Sequence, residues 1–336
     1  MPTGGTIALS DAIPSTQPPQ NVPDWYSDTS VRPRDFRSET ITLRRVRTIT
    51  TILASATGPQ KRETAAELRG FLLQMSLMDF HGKEKGIIKK SALLTDGTFD
   101  SIARAAPPDI ATIATRLRDR WWSGDTDPDL LRGIKRNKAT SAKNHTHVFY
   151  SLDPTYAFRE SPNYVGAGKL YNGQWWPLQI CANRDGAHGE IEAGIAGLKA
   201  QGAFSVVVAG GGYADVDDGE VIHYCGTPSP SADGKKVSMS TQLMLTAMDN
   251  KTPVRVLRSA KIPKSKFRPV RGLRYDGLYD INGAEVVDST VMLYRFRLER
   301  QAGQGEITWR GEGKRPHAVE LEALRKDEEV RRFVVS

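Results

Sequence analysis

The stretch AGGGYADVDDGEVIHYCGT, from Ala209 to Thr227, carries the residues best suited to chemistry. Three glycines lead into Tyr213, an acidic turn holding Asp215, and a second tyrosine, Tyr224, just before Cys225 and Gly226. Glycine permits turns that a Cβ would block, and it lets a ligand approach the main chain. Two tyrosines flanking such a loop can face each other across a slot, where a flat aromatic ligand fits by stacking. Asp215 then offers an acceptor at the ligand's edge, and cytosine presents an exocyclic amine that a carboxylate can read. The same pattern also suits an ordinary acidic glycine turn, and on its own it does not choose. A calcium loop is disfavoured. Asp215, Asp217, Asp218 and Glu220 are dense but lack the EF-hand spacing and a helix on each side.

Other constellations are weaker. Asn144-His145-Thr146-His147 is the one local hint of a metal-dependent nuclease, and it has no carboxylates at convincing spacing. His223 and Cys225 share a strand face by spacing, but no third group would orient a cysteine nucleophile. With Cys181 and Cys225 as the only cysteines, a disulfide scaffold and zinc modules such as RING are excluded. No catalytic residue, metal or cofactor is therefore expected. Lysine and arginine total 47 against 39 acidic residues, a net charge of +8 that favours a polyanionic partner. Much of the surplus crowds one segment, in Lys251, Arg255, Arg258, Lys261, Lys264, Lys266, Arg268, Arg271 and Arg274. Tyr275 and Asp276, which follow it, suit holding the fold together as well as touching a ligand.

The elements that must position these residues fall into five stretches. Residues 1–37 are rich in Pro, Ser, Thr and Asp and read as a disordered tail. Residues 38–131 repeat apolar side chains at helical spacing. Ile41, Val46, Ile49, Ile52 and Leu53 form one stripe; Leu68, Phe71, Leu72, Met75, Met78 and Phe80 form a second. Thr98 and Asp109 are placed to cap two more helices, the last with Ile110, Ile113, Leu117 and Trp121 on one face. Residues 132–160 begin with the basic RGIKRNKATSAKNHTH, read either as a solvated linker or as an arm lying on phosphates. From 161 to 312 short β-branched runs alternate with turns: 175–181, 203–209, 221–225, 254–257 and 291–298. Residues 190–201 suit a short helix. Residues 313–336 read as a charged amphipathic C-terminal helix. There is no apolar run of about 18 residues and no secretory leader, so a soluble, intracellular chain is expected.

Several blocks in order now resemble one family, the SRA or YDG (SET- and RING-associated) domain. They are Tyr164-Val-Gly-Ala-Gly, the stretch Gly186–Gly197, the loop Ser205–Gly219, Tyr224-Cys-Gly226 in place of Tyr-Thr-Gly, and Arg274-Tyr-Asp-Gly-Leu-Tyr279, the signature that names the domain. Trp175-Trp176-Pro-Leu-Gln is similar to fungal members. The resemblance implies an α+β fold, an SRA-like (PUA-like) twisted β-barrel or sheet with flanking helices, preceded here by the small helical region. It also implies a nuclear reader that flips 5-methylcytosine out of double-stranded DNA, at a cost of a few kcal/mol for unstacking.

Carried over by position, Tyr213 and Tyr224 are the stacking aromatics and Asp215 is the acceptor for the cytosine amine. Gly211, Gly212 and the backbone at Cys225 and Gly226 bond the remaining polar edge, and Thr227 helps line the space for the methyl. One methyl is worth about 1 kcal/mol, so discrimination on the order of tenfold is expected. A first loop, Ala187–Glu192 with His188, Ile191 and Glu192, and a second, between Ser229 and Gln242 with Lys235, Lys236 and Gln242, are expected to enter the duplex from opposite grooves. The second is shorter than in the animal ubiquitin ligases. Lys261, Lys264, Lys266, Arg268, Arg271 and Arg274 are expected on the DNA backbone. Other SRA-like domains are joined to nucleases, so a modification-dependent nuclease is an alternative. A further one is a chromatin scaffold that recruits partner proteins through residues 38–131.

Overall fold

A computed structural model describes residues 41–77, 97–140, 146–210, 215–231, 233–263, 265–311 and 313–333. The expectations for the tail 1–37 and for Met78, Phe80, Asn144, His145, Gly211, Gly212, Tyr213 and Lys264 lie outside the described residues. Two compact units emerge. One combines the chain up to residue 132 with residues 317 onward, and the other comprises 133–316.

The first unit is helical. Helices α1 (Ile41–Ser55), α2 (Gly58–Met75), α3 (Thr98–Ala105) and α4 (Pro108–Ser123) form where the 3.6-residue stripes predict them. Leu53, Leu68, Leu72, Met75 and Ile110 of those stripes are fully buried, as is Ile102 of α3, whereas Ile52 is exposed. Phe99 meets Trp121 edge to face, centroids 6.1 Å apart. The caps fall one residue or more earlier than expected. Left-handed Gly97 precedes α3 and Pro107 precedes α4, so Thr98 and Asp109 lie inside their helices. The last helix, α7 (Ala318–Phe333), belongs to this same unit and packs on α2.

The second unit holds two sheets. The stretch expected as a linker contains an antiparallel hairpin, β1 (Ile134–Thr140) and β2 (Thr146–Leu152). The main sheet is formed by β3 (Trp175–Trp176), β4 (Ile195–Leu198), β5 (Gly202–Val208), β6 (Val216–Asp217), β7 (Val221–Cys225), β8 (Val254–Ser259), β9 (Leu273–Asp288) and β10 (Leu293–Arg300). Its order is β4-β5-β8-β9-β10-β7-β6, with β3 beside β9. The pair β5–β8 is parallel and the rest are antiparallel. Among the described residues the two edge strands do not pair, so the sheet is open rather than a closed barrel. Helix α6 (Met239–Asp249) covers one face, sinking Met244 and Ala247 against Val206, Val254 and Val256.

The sequence reading differs at further points here. Pro177 ends the expected 175–181 strand after two residues, and a short helix α5 (Gln179–Arg184) follows. The helix expected in 190–201 is instead β4 and the turn into β5. Part of the expected second loop is α6, capped by the Ser238 hydroxyl, which accepts from Thr241 N.

Candidate nucleic-acid interface

β6 and β7 form a two-residue ladder, Val216 opposite His223 and Asp217 opposite Ile222. Strand alternation sends Ile222 and Tyr224 into the core, and His223 and Cys225 to the other face. Tyr224 is buried, and its hydroxyl donates to the Gly194 carbonyl at 3.2 Å. A Cβ on Gly194 would sit 2.9 Å from that hydroxyl, so glycine is needed for the approach. Burial raises the Tyr224 phenol well above its ordinary pKa.

Asp215 lies half-buried immediately before β6. Its Oδ1 accepts from Cys225 N at 2.8 Å, and no described residue bonds the other oxygen. Burial pushes this carboxyl up to about 6, against the opposing effect of the Cys225 bond, and the negative charge of Asp217 adds to the rise. Cys225 is half-buried, its thiol raised by burial. Gly226 N donates to Tyr294 O at 2.9 Å. Thr227 is clasped by the start of α6: its N donates to Thr241 Oγ1 at 3.0 Å, and Ser238 Oγ donates to its carbonyl at 2.8 Å. Asp215, Tyr224, Cys225, Gly226 and Thr227 therefore converge around one short turn. Gly211, Gly212 and Tyr213, which would complete the slot, lie outside the described residues.

The first expected loop has a buried base and an exposed tip. His188 is a correction, because it is fully buried and does not reach outward. Its Nε2 lies 2.9 Å from Ala193 O and its Nδ1 lies 2.8 Å from Ser205 Oγ. Desolvation lowers its pKa to about 4, so it is neutral and acts as an internal staple. The Gln179 side-chain amide continues the staple, its Nε2 donating to Glu190 O and Ala193 O, while Asn183 Nδ2 donates to His188 O. Beyond that base Ile191 is 43% exposed and Glu192 is exposed, an apolar side chain held out on a fixed support. In the second loop Lys235 and Lys236 are exposed, and Ser229 N donates to Val291 O, tying the loop to the β9–β10 turn. Gln242 is a further correction, since it is exposed on α6 rather than carried on the loop.

The basic segment divides. Lys261, Lys266, Arg268 and Arg271 are exposed; Lys264 lies outside the described residues. Lys266 Nζ sits 5.0 Å from the Phe267 ring centroid. Arg274 is a correction: it is fully buried and cannot reach a phosphate. Its guanidinium grips Asp276 with Nε at 2.5 Å and Nη2 at 2.8 Å, and Nη2 also donates to Phe267 O. Arg255 and Arg258 are buried as well. Arg255 donates to the carbonyls of Pro162, Tyr164, Gly166 and Ala187 and stacks 4.0 Å from the Tyr164 ring centroid. Arg258 bonds Asp276 at 2.9 Å and takes Asp217 with Nε and Nη2. Ser265 Oγ donates to the same Asp217 at 2.6 Å. Asp217 is held below the usual carboxylate range: its own burial opposes this, and the Arg258 guanidinium outweighs it.

Asp217, Arg258 and Ser265 form a buried support beside Asp215 that sequence reasoning missed. They fix β6, which directly follows Asp215, to the segment that carries the exposed cations. The available signal was the strand VRVLRS, where two arginines stand among apolar residues. Tyr275 and Asp276 are buried and hold the fold together. Among the described residues, no group of three or more His, Cys, Asp or Glu side chains could hold a metal ion.

Comparison with known proteins gives a SAD/SRA domain match over residues 165–304. A UHRF1-like protein of Cryptococcus neoformans var. grubii is 31% identical over 155 residues, covering 40% of this chain and 45% of that protein. The E3 ubiquitin-protein ligase UHRF1 of Danio rerio is 33% identical over 170 residues, covering 42% of this chain and 22% of the ligase. Among solved structures, the SUVH5 SRA domain in complex with hemimethylated CG DNA is 28% identical, with a TM-score of 0.36, covering 44% of this chain and all of that one. The chain thus spans less than half the length of these curated relatives, and the match covers the SRA domain alone. With that match laid over the β6–β7 turn and the buried Arg274-Tyr-Asp signature, residues 165–304 are a SAD/SRA domain.

Proposed function

We propose that this protein is a nuclear reader of modified cytosine, chiefly 5-methylcytosine, in double-stranded DNA, and that it everts the base into the pocket bounded by Asp215, Tyr224 and the Cys225–Thr227 turn. The observation that carries this reading is the Asp215 carboxylate. One oxygen is committed to Cys225 N and fixes the side chain; the other is open to accept from an exocyclic amine. The buried base of the 187–192 loop supports Ile191 as a wedge that fills the gap left in the duplex. Lys235, Lys236, Lys261, Lys266, Arg268 and Arg271, all exposed, supply phosphate contacts that carry no sequence information. The protein acts in this reading as a binding module without catalysis of its own, and its helical unit engages chromatin proteins.

The test is a fluorescence-anisotropy series at fixed salt on unmethylated, hemimethylated, fully methylated and hydroxymethylated duplexes. A preference on the order of tenfold for a methylated duplex is expected, and Asp215→Ala removes that preference while leaving most of the unmethylated affinity. Equal affinity for all four duplexes rejects the reading.

A further inference from the structure

The β1–β2 hairpin pairs Ile134 with Leu152 through to Thr140 with Thr146, without a register shift. Residues directly opposite in an antiparallel ladder share a face. One face of this ribbon therefore carries Lys135, Asn137 and Phe149, and the other carries Arg136, Lys138, Val148 and Tyr150.

The first face satisfies itself. Lys135 Nζ lies 3.0 Å from Asp153, and Asn137 Nδ2 donates to Ser151 Oγ at 2.8 Å. The second face does not. Lys138 is exposed and pairs with no described acid. Arg136 is half-buried, and its Nε is cut off from solvent with no acceptor among the described residues. A buried guanidinium nitrogen without a partner is costly, and swinging the side chain outward onto a bidentate anion relieves that cost. The sequence from Arg132 to His147 holds no acidic residue to supply one. β2 also packs against α5, and Glu160 N donates to Arg184 O at the end of that helix. α5 leads directly into the 187–192 loop, so β2 packs on the helix that precedes Ile191 in the chain.

We propose that the Arg136–Lys138 face of the β1–β2 ribbon binds the phosphate backbone of duplex DNA, alongside the everted base. This placement rests on the reader function for its duplex, but the contact itself does not need eversion. Arg136 and Lys138 are two residues apart on an extended strand, roughly 7 Å, which lets each meet its own phosphate. Arg136 supplies the planar fork and Lys138 a mobile point charge. Neither contact reads a base, so the ribbon adds affinity equally to methylated and unmethylated DNA.

The experiment uses the full chain and anisotropy across a salt series, with one methylated duplex, one unmethylated duplex and one single-stranded RNA. In R136A/K138A the slope of log affinity against log salt is expected to shrink by about 1.8, and affinity to fall roughly tenfold on both duplexes. The ratio between duplexes stays that of the wild type, and R136K/K138R restores most of the slope. K138A alone, at an exposed position, is expected to shrink the slope by about 0.9, and it serves if the double variant fails to fold. An unchanged slope overturns the proposal, as does an equal drop in K61A/R62A, which removes the same charge from α2. A slope change confined to single-stranded RNA overturns the choice of duplex DNA. A wild type that binds both duplexes equally would sink the reader function, while the slope comparison would still decide the ribbon.

Discussion

Arginines and lysines between Arg255 and Arg274 serve two opposite purposes. On β8 and β9, Arg255, Arg258 and Arg274 are buried, and their charges are spent on Asp217, Asp276 and backbone carbonyls. In the connection between those strands, Lys261, Lys266, Arg268 and Arg271 remain in solvent. The residues are alike and adjacent in sequence. The sheet separates them, because a central strand has neighbours on both edges and a core on its faces. The difference teaches that a dense basic segment is not one DNA-binding surface. Part of it builds the frame and part can meet the ligand, and Ser265 bonded to Asp217 joins the two.

The sharpest way to break this comparison is Asp276→Ala. It strips the shared counter-charge from Arg258 and Arg274, leaving Arg258 with Asp217 alone and the buried Arg274 with backbone carbonyls only among the described residues. Removing one partner of such a network costs about 3–5 kcal/mol, read as a large fall in the urea midpoint; an unchanged midpoint would show that the buried set is not structural. The reverse pattern is expected for K266A/R268A/R271A. Its melting temperature stays close to that of the wild type, while the salt slope of DNA binding shrinks by about 2–3.

Asp215→Asn sharpens the contrast at the pocket itself. The Asp215 carboxyl holds its proton up to about pH 6, above an unfolded aspartate. Between roughly pH 4 and 6 the folded state therefore binds more protons than the unfolded state, so stability falls as pH rises through that window. The amide removes this loss. After discounting for partial exposure, a gain of about 1–2 kcal/mol is expected at pH 7.5 and none at pH 4, measured by thermal melts at the two pH values. The same variant loses its preference for methylated DNA. In the wild type that preference should fade below about pH 6, when the acceptor oxygen is protonated. The smallest effect is expected from Ile191→Ala. Affinity for methylated duplex weakens several-fold, about 1 kcal/mol, with no change in stability, because the side chain is exposed at the tip.

Much of the helical unit was legible because its apolar stripes keep one period over several turns, as in Ile110, Ile113, Leu117 and Trp121. β5 and β7 were legible for a related reason: β-branched runs bounded by glycine leave few alternatives. β9 was not. Gly277 and Gly283 interrupt its sixteen residues, and the pairing that overrides them comes from β8 and β10, far away in sequence. The hairpin at 134–152 escaped notice because β1 is strongly basic and Val148, Phe149 and Tyr150 of β2 fall on both faces, so alternation gives no signal. At the site, the motif singles out Asp215 and Cys225, which the structure brings together through one hydrogen bond. Burial of His188, Arg258 and Arg274 was hidden, because a polar side chain does not announce partners contributed by other strands.

The helical unit draws its last helix, α7, from beyond the whole SRA-bearing unit. During synthesis, α1–α4 therefore leave the ribosome well ahead of the helix that packs on α2, by roughly 10–40 seconds at ordinary elongation rates. For that interval the α2 surface stays uncovered while the intervening unit forms its own core. Cutting away α1–α4 would strand α7 with its Leu324 face bare.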